Sequence, residues 1–74
     1  MEGELQQRVG GAVRRIRRDR GLSQEELADE LGMHRTYVGG VERGERNLTL
    51  RSVEALASGL GVDPLILLST RASS

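Results

Sequence analysis

The segment from Leu22 to Gly44, LSQEELADELGMHRTYVGGVERG, leaves the chain few ways to fold. It reads as two short helices joined by a tight turn. Ser23 opens the first: its hydroxyl can accept a bond from the backbone three residues on while Glu26 reaches back, a Ser-x-x-Glu capping box. Leu27, Ala28 and Leu31 form the apolar face of that helix. Gly32 stops it, because a positive φ costs glycine least. The second helix starts at His34 or Arg35, carries Val38 and Val41 on one side, and ends at Gly44.

The spacing predicts how the two helices meet. A small side chain at Ala28, four residues before Gly32, lets the second helix cross closely over the first. With Val38 and Val41 directed inward, Arg35, Thr36, Gly39, Gly40 and Arg43 are left facing outward. Two helices at a steep angle, with a polar outer face on the second, describe a helix-turn-helix that can enter a DNA major groove. Periodicity alone fits an ordinary helical hairpin in a small bundle equally well. The outer face and the rest of the chain have to decide.

Upstream, a first helix is expected from about Glu4 to Arg20, with Leu5, Val9, Ala12, Val13 and Ile16 on one face. Gly10 and Gly11 interrupt it at a cost of about 1 kcal/mol each relative to alanine; close packing of another helix is one use for them. Downstream, Thr49 caps a fourth helix that turns Leu50, Val53, Leu56, Ala57 and Leu60 toward the core, and Gly61 ends it. Asp63 caps and Pro64 opens a short fifth helix. Its run Leu65-Ile66-Leu67-Leu68 is more apolar than one small core can absorb. The i, i+3 spacing assigns Leu65 and Leu68 inward. That leaves Ile66 and Leu67, with Val62, as a candidate two-fold interface. Residues 1–69 are expected to form one domain and 70–74 a disordered tail.

Composition narrows the function. A chain of 74 residues supports one small core and no separate ligand-sensing domain, so regulation through concentration is expected. There is no cysteine for a disulfide or thiolate site, and His34 is the only histidine, so no metal or cofactor is expected. No glycine-rich phosphate loop or paired acids argue for an enzyme. Met1-Glu2-Gly3-Glu4 is unlike a secretory signal, and Leu65 to Leu68 is far too short to span a bilayer; a cytoplasmic protein is expected. Formal net charge is zero, but placement matters more. Arg14, Arg15, Arg17, Arg18 and Arg20 crowd the end of the first helix, Arg35, Arg43 and Arg46 lie on or after the second motif helix, and Glu25, Glu26, Asp29 and Glu30 gather on the first. A polarised surface with one basic face and an evenly solvated charged shell both fit this pattern.

Ser23-Gln24-Glu25-Glu26-Leu27-Ala28, then Gly32, then Tyr37-Val38-x-x-Val41-Glu42-Arg43-Gly44, resembles the Cro/phage-repressor (XRE-type) class of helix-turn-helix proteins. The likeness continues through Asn47-Leu48-Thr49-Leu50 to Leu60-Gly61-Val62. HRTYVGGVERGERNLTL is more particularly similar to the controller proteins of restriction–modification systems. The resemblance implies an all-α, compact five-helix domain of the lambda-repressor-like type. It implies a homodimeric transcription regulator on a near-palindromic operator in double-stranded DNA, with recognition helices about 34 Å apart. RNA polymerase is a further candidate partner.

It also implies roles for particular residues. Arg35 and Thr36 occupy the exposed helix start, where arginine can bind guanine O6 and N7 through two hydrogen bonds and threonine can offer a hydroxyl or a methyl. Arg46 is implied to approach base edges, and Asn47 and Arg43 the backbone. Gln24 is implied to bind a phosphate and brace its neighbour. Tyr37, the only tyrosine in a chain without phenylalanine or tryptophan, can donate to a phosphate or simply pack. Arg17 and Glu42 are implied to form a structural ion pair. Gly39 departs from the serine often found in relatives. A phage-type repressor, an autoregulating antitoxin, and a protein-contact module without specific DNA binding remain the alternatives.

Overall fold

A computed structural model describes residues 3–68, which form five helices and no strand. These are α1 (Glu4–Asp19), α2 (Gln24–Leu31), α3 (Arg35–Glu42), α4 (Leu50–Leu60) and α5 (Pro64–Leu68). Ser69 and the expected tail at 70–74 lie outside the described residues.

Local chemistry fixes most helix ends. Ser23 Oγ accepts from the Glu26 N–H at 3.0 Å, and the Ser23 N–H donates to Glu26 Oε1 at 2.8 Å, which completes the capping box of α2. Thr49 Oγ1 accepts from the Ser52 N–H at 3.1 Å at the start of α4, and Asp63 Oδ1 from the Leu65 N–H at 2.9 Å at the start of α5. Gly32, at φ 69°, lets the Met33 N–H fold back onto the Ala28 carbonyl at 2.9 Å. That turn brings α3 against α2.

The core collects one stripe from each helix. Val9, Ala12 and Val13 of α1 meet Leu27 and Ala28 of α2, Val38 and Val41 of α3, Val53, Leu56, Ala57 and Leu60 of α4, and Leu67 of α5. α1 packs on α3 and α5, α2 on α3 and α4, and α4 on α5. Each fully buried valine or leucine side chain contributes about 1.5–3 kcal/mol of burial.

Several expectations need correction. Leu50, 76% exposed, does not enter the core, and Leu5 is also exposed. Both stand in the first turn of their helices, where a Cβ tilted toward the N-terminus carries the side chain past the packed region. In α5 the buried residue is Leu67, fully enclosed, while Leu65 is 66% exposed. The short helix sits against both α1 and α4, and that position turns Leu67 and the half-buried Leu68 inward. Leu67 is therefore core and no part of a free interface. Ile66 stays 47% exposed, and Val62 is partly buried against the core. Gly39 and Gly40 do not face open solvent but are covered by long polar side chains.

Gly10 accounts for one interruption of α1. A Cβ there would overlap the Val41 carbonyl oxygen and lie 2.9 Å from that of Glu42, so α1 and α3 cross backbone to backbone. Gly11 points into open space. Gly10→Ala should therefore lower stability by about 1–3 kcal/mol, since overpacking outweighs the gain in helix propensity. Gly11→Ala should raise it by up to about 1 kcal/mol. Urea midpoints of the two variants check this, and similar shifts for both would contradict the close crossing.

Candidate nucleic-acid interface

α3 is held from behind by one carboxylate. Glu42, at its last position, accepts from Arg17 Nε at 2.7 Å and Arg17 Nη2 at 3.1 Å, a two-point pair with α1. It also accepts from Gln24 Nε2 at 3.0 Å, which adds α2. Arg17 Nη1 donates to the Leu22 carbonyl at 2.9 Å. The Arg17 and Glu42 side chains are only 13% and 3% exposed. The hydrogen bonds that Arg17 donates to the Glu42 carboxylate hold its guanidinium above its already high ordinary range, against the opposing effect of burial. A raised cationic pKa stabilises the fold at every pH below the unfolded value and is lost only as pH climbs through the folded one, so this side of the pair adds no pH dependence near neutrality.

The opposite face of α3 is polar. Arg35 and Thr36 are exposed in its first turn, and Tyr37 is half-buried beside them. Arg46, in the loop after α3, places its guanidinium carbon 5.1 Å from the centre of the Tyr37 ring, within cation–π range. Arg43 is exposed and pairs with Glu45 at 3.1 Å, and Asn47 is exposed. Gln24 has its amide nitrogen on Glu42, which leaves the second hydrogen of that nitrogen as its remaining donor. His34 is the N-cap of α3 without a side-chain capping bond. Among the described residues no group of three or more histidine, cysteine, aspartate or glutamate side chains could hold a metal.

Thr36, Tyr37 and Arg46 share a shallow groove of about 740 Å³ with Thr49, Arg51 and Ser52 of the α4 start. Arg51 and Ser52 drew no role from the sequence; their position just after a capping threonine, downstream of a basic loop, is the only signal there was. Of the arginines crowding the end of α1, two are committed internally: Arg17 to Glu42, and Arg20, whose Nη2 donates to the Leu60 carbonyl at 2.8 Å. Arg14, Arg15 and Arg18 are exposed.

A short helix braced on a buried carboxylate, with arginine and threonine free at its N-terminal turn and a second arginine seated beside them, has the geometry for reading base edges in a groove. Fold and surface together define a helix-turn-helix regulator. The helix-turn-helix family model matches residues 13–67, and the chain belongs to that family. It is a sequence-specific DNA-binding transcription regulator and not an enzyme. Control protein C.BamHI of Bacillus amyloliquefaciens is 42% identical over 69 residues, which are 92% of this chain and 85% of that protein. The restriction-modification controller protein C.AhdI from Aeromonas hydrophila has a similar structure, with a TM-score of 0.73 and 45% identity over 84% of this chain and 90% of that one. The restriction-modification controller protein C.Esp1396I, crystallised as a tetramer with its natural 35 base-pair operator, gives a TM-score of 0.78 and 34% identity over 95% of this chain and 92% of that one. No helix among the described residues is long and apolar enough to cross a membrane.

Proposed function

We propose that this chain is a dimeric, cytoplasmic controller protein of a restriction–modification operon, acting on a near-palindromic operator. The observation that carries the reading is the exposed Arg35–Thr36 pair at the start of a helix whose other end is fixed by Arg17 and Glu42. Arg35, Thr36 and Arg46 supply base contacts. Gln24, Tyr37, Arg43 and Asn47 supply phosphate contacts and with them affinity and salt dependence. A methyltransferase gene and an endonuclease gene beside this one would support the operon assignment; their absence would favour another repressor type.

Arg35→Ala tests the site. The variant should fold normally, lose about 1–3 kcal/mol of specific binding, and relax preference at one base position. Selection of binding sites from randomised duplexes measures this for both proteins. Equal preference in the two would remove Arg35 from base reading, and an unselective wild type would favour a protein-contact module.

The dimer reading rests on Ile66, the exposed apolar residue of the former pair, with Val62 beside the end of α4. Ile66→Glu should give a folded chain that sediments as a monomer and binds its operator much more weakly. Analytical ultracentrifugation with circular dichroism checks this; an unchanged dimer would place the interface elsewhere.

A further inference from the structure

Two glycines stand side by side inside α3, although only proline is a poorer helix former. Both are buried. The three atoms nearest to a Cβ on Gly40 all belong to one side chain: Arg46 Nε at 3.0 Å, Cγ at 3.1 Å and Cδ at 3.5 Å. None of these three is a backbone atom, whereas the three nearest at Gly10 all are, so a backbone-to-backbone helix crossing does not explain this glycine. Tyr37 lies three residues earlier, on the same face of the helix, with the Arg46 guanidinium over its ring. Arg46 thus leaves the loop, lays its stem across Gly40 and rests its head on Tyr37.

We propose that Gly40 is a positioning residue for Arg46: by carrying no side chain, it makes the recognition helix a seat that aims an arginine from the following loop at the DNA. This rests on the reading of Arg46 as a base-contacting residue. An arginine has much rotamer freedom to lose on binding, and a seat formed in the free protein removes part of that loss beforehand. The seat also sets direction. A Cβ at position 40 would stand 3.0 Å from Arg46 Nε and 3.1 Å from its Cγ, so the arginine stem would have to shift off its seat to make room. Arg46 takes the place on α3 that position 40 gives up. Gly39 is different: the three atoms nearest to a Cβ there belong to Arg43, with Nη1 at 3.1 Å, and to Gln24, with Oε1 at 3.4 Å.

The test compares the full chain with Arg46→Ala, Gly40→Ala, Gly39→Ala and the Gly40→Ala/Arg46→Ala double variant by selection from randomised duplexes. Circular dichroism confirms folding of each. Arg46→Ala should lose preference at particular operator positions by roughly 5- to 150-fold. Gly40→Ala should lose preference at those same positions, Gly39→Ala should keep it, and the double variant should match Arg46→Ala alone. A second readout needs no DNA. With Tyr37 the only tyrosine and no phenylalanine or tryptophan in the chain, its ring should displace the NMR signals of the Arg46 δ-methylene and Nε–H. That displacement should shrink in Gly40→Ala and persist in Gly39→Ala. Undisplaced signals in the native chain, or a Gly40→Ala variant that keeps native preference while Arg46→Ala loses it, would overturn the proposal. If Arg46→Ala itself keeps native preference, the base-contact reading fails first, and the proposal with it.

Discussion

Glu42→Ala is expected to be among the most damaging substitutions outside the apolar core, lowering stability by about 3–5 kcal/mol. The carboxylate accepts three hydrogen bonds, from two helices other than its own. Its removal leaves the Arg17 guanidinium buried without its counter-charge and strands the Gln24 amide. For a domain of this size total stability is about 5–15 kcal/mol, so the variant should sit near the edge of folding. Arg17→Ala should also destabilise, and the double variant should lose less than the two single losses added together. Thermal or denaturant unfolding of the four proteins gives the coupling. Full additivity would show that the two side chains do not depend on one another. The variant should also bind DNA poorly even at temperatures where it stays folded, because the end of α3 is no longer tied to α1 and α2.

Leu67→Ala should cost about 2–5 kcal/mol, in contrast to a near-neutral fold effect for Ile66→Glu one residue earlier. Leu67 is enclosed completely and sits in the helix that packs on both α1 and α4. Truncation opens a cavity that neither neighbour can easily fill. Denaturant midpoints of the two variants, measured under the same conditions, decide the assignment. A stable Leu67→Ala variant with altered self-association would return that residue to the interface.

The Leu67 case shows where sequence reading ends. Caps at Ser23, Thr49 and Asp63 were legible because their bonds reach only two or three residues along the chain. Stops at Gly32 and Gly61 were legible because each takes a positive φ, 69° and 73°, which few other residues accept. The core faces of α2 and α3 followed from their spacing. A single turn such as α5 has no period to read. Which of its leucines turns inward is decided by α1 and α4, far away in the chain. Leu50 fitted its period and still failed, since at the first position of α4 there is no preceding turn to pack over. On the site side, Arg35 and Thr36 were placed by pattern and resemblance together. The cover over Gly40 was not visible, because nothing local tells a loop arginine to fold back on the helix before it.

The two sides of α3 answer to different demands. Its contacts with the rest of the fold, at Val38, Val41 and Glu42, lie on one side, and the exposed Arg35 and Thr36 on the other. Exchanging either exposed residue removes no core contact. Lineages descending from such a protein can therefore drift from one operator to another by single steps at these positions, with no compensating change in the interior. Arg46 is the exception. Its replacement frees Gly40, and the next acceptable substitution can then arise in the helix itself, so the order in which those two positions change constrains which operators can be reached.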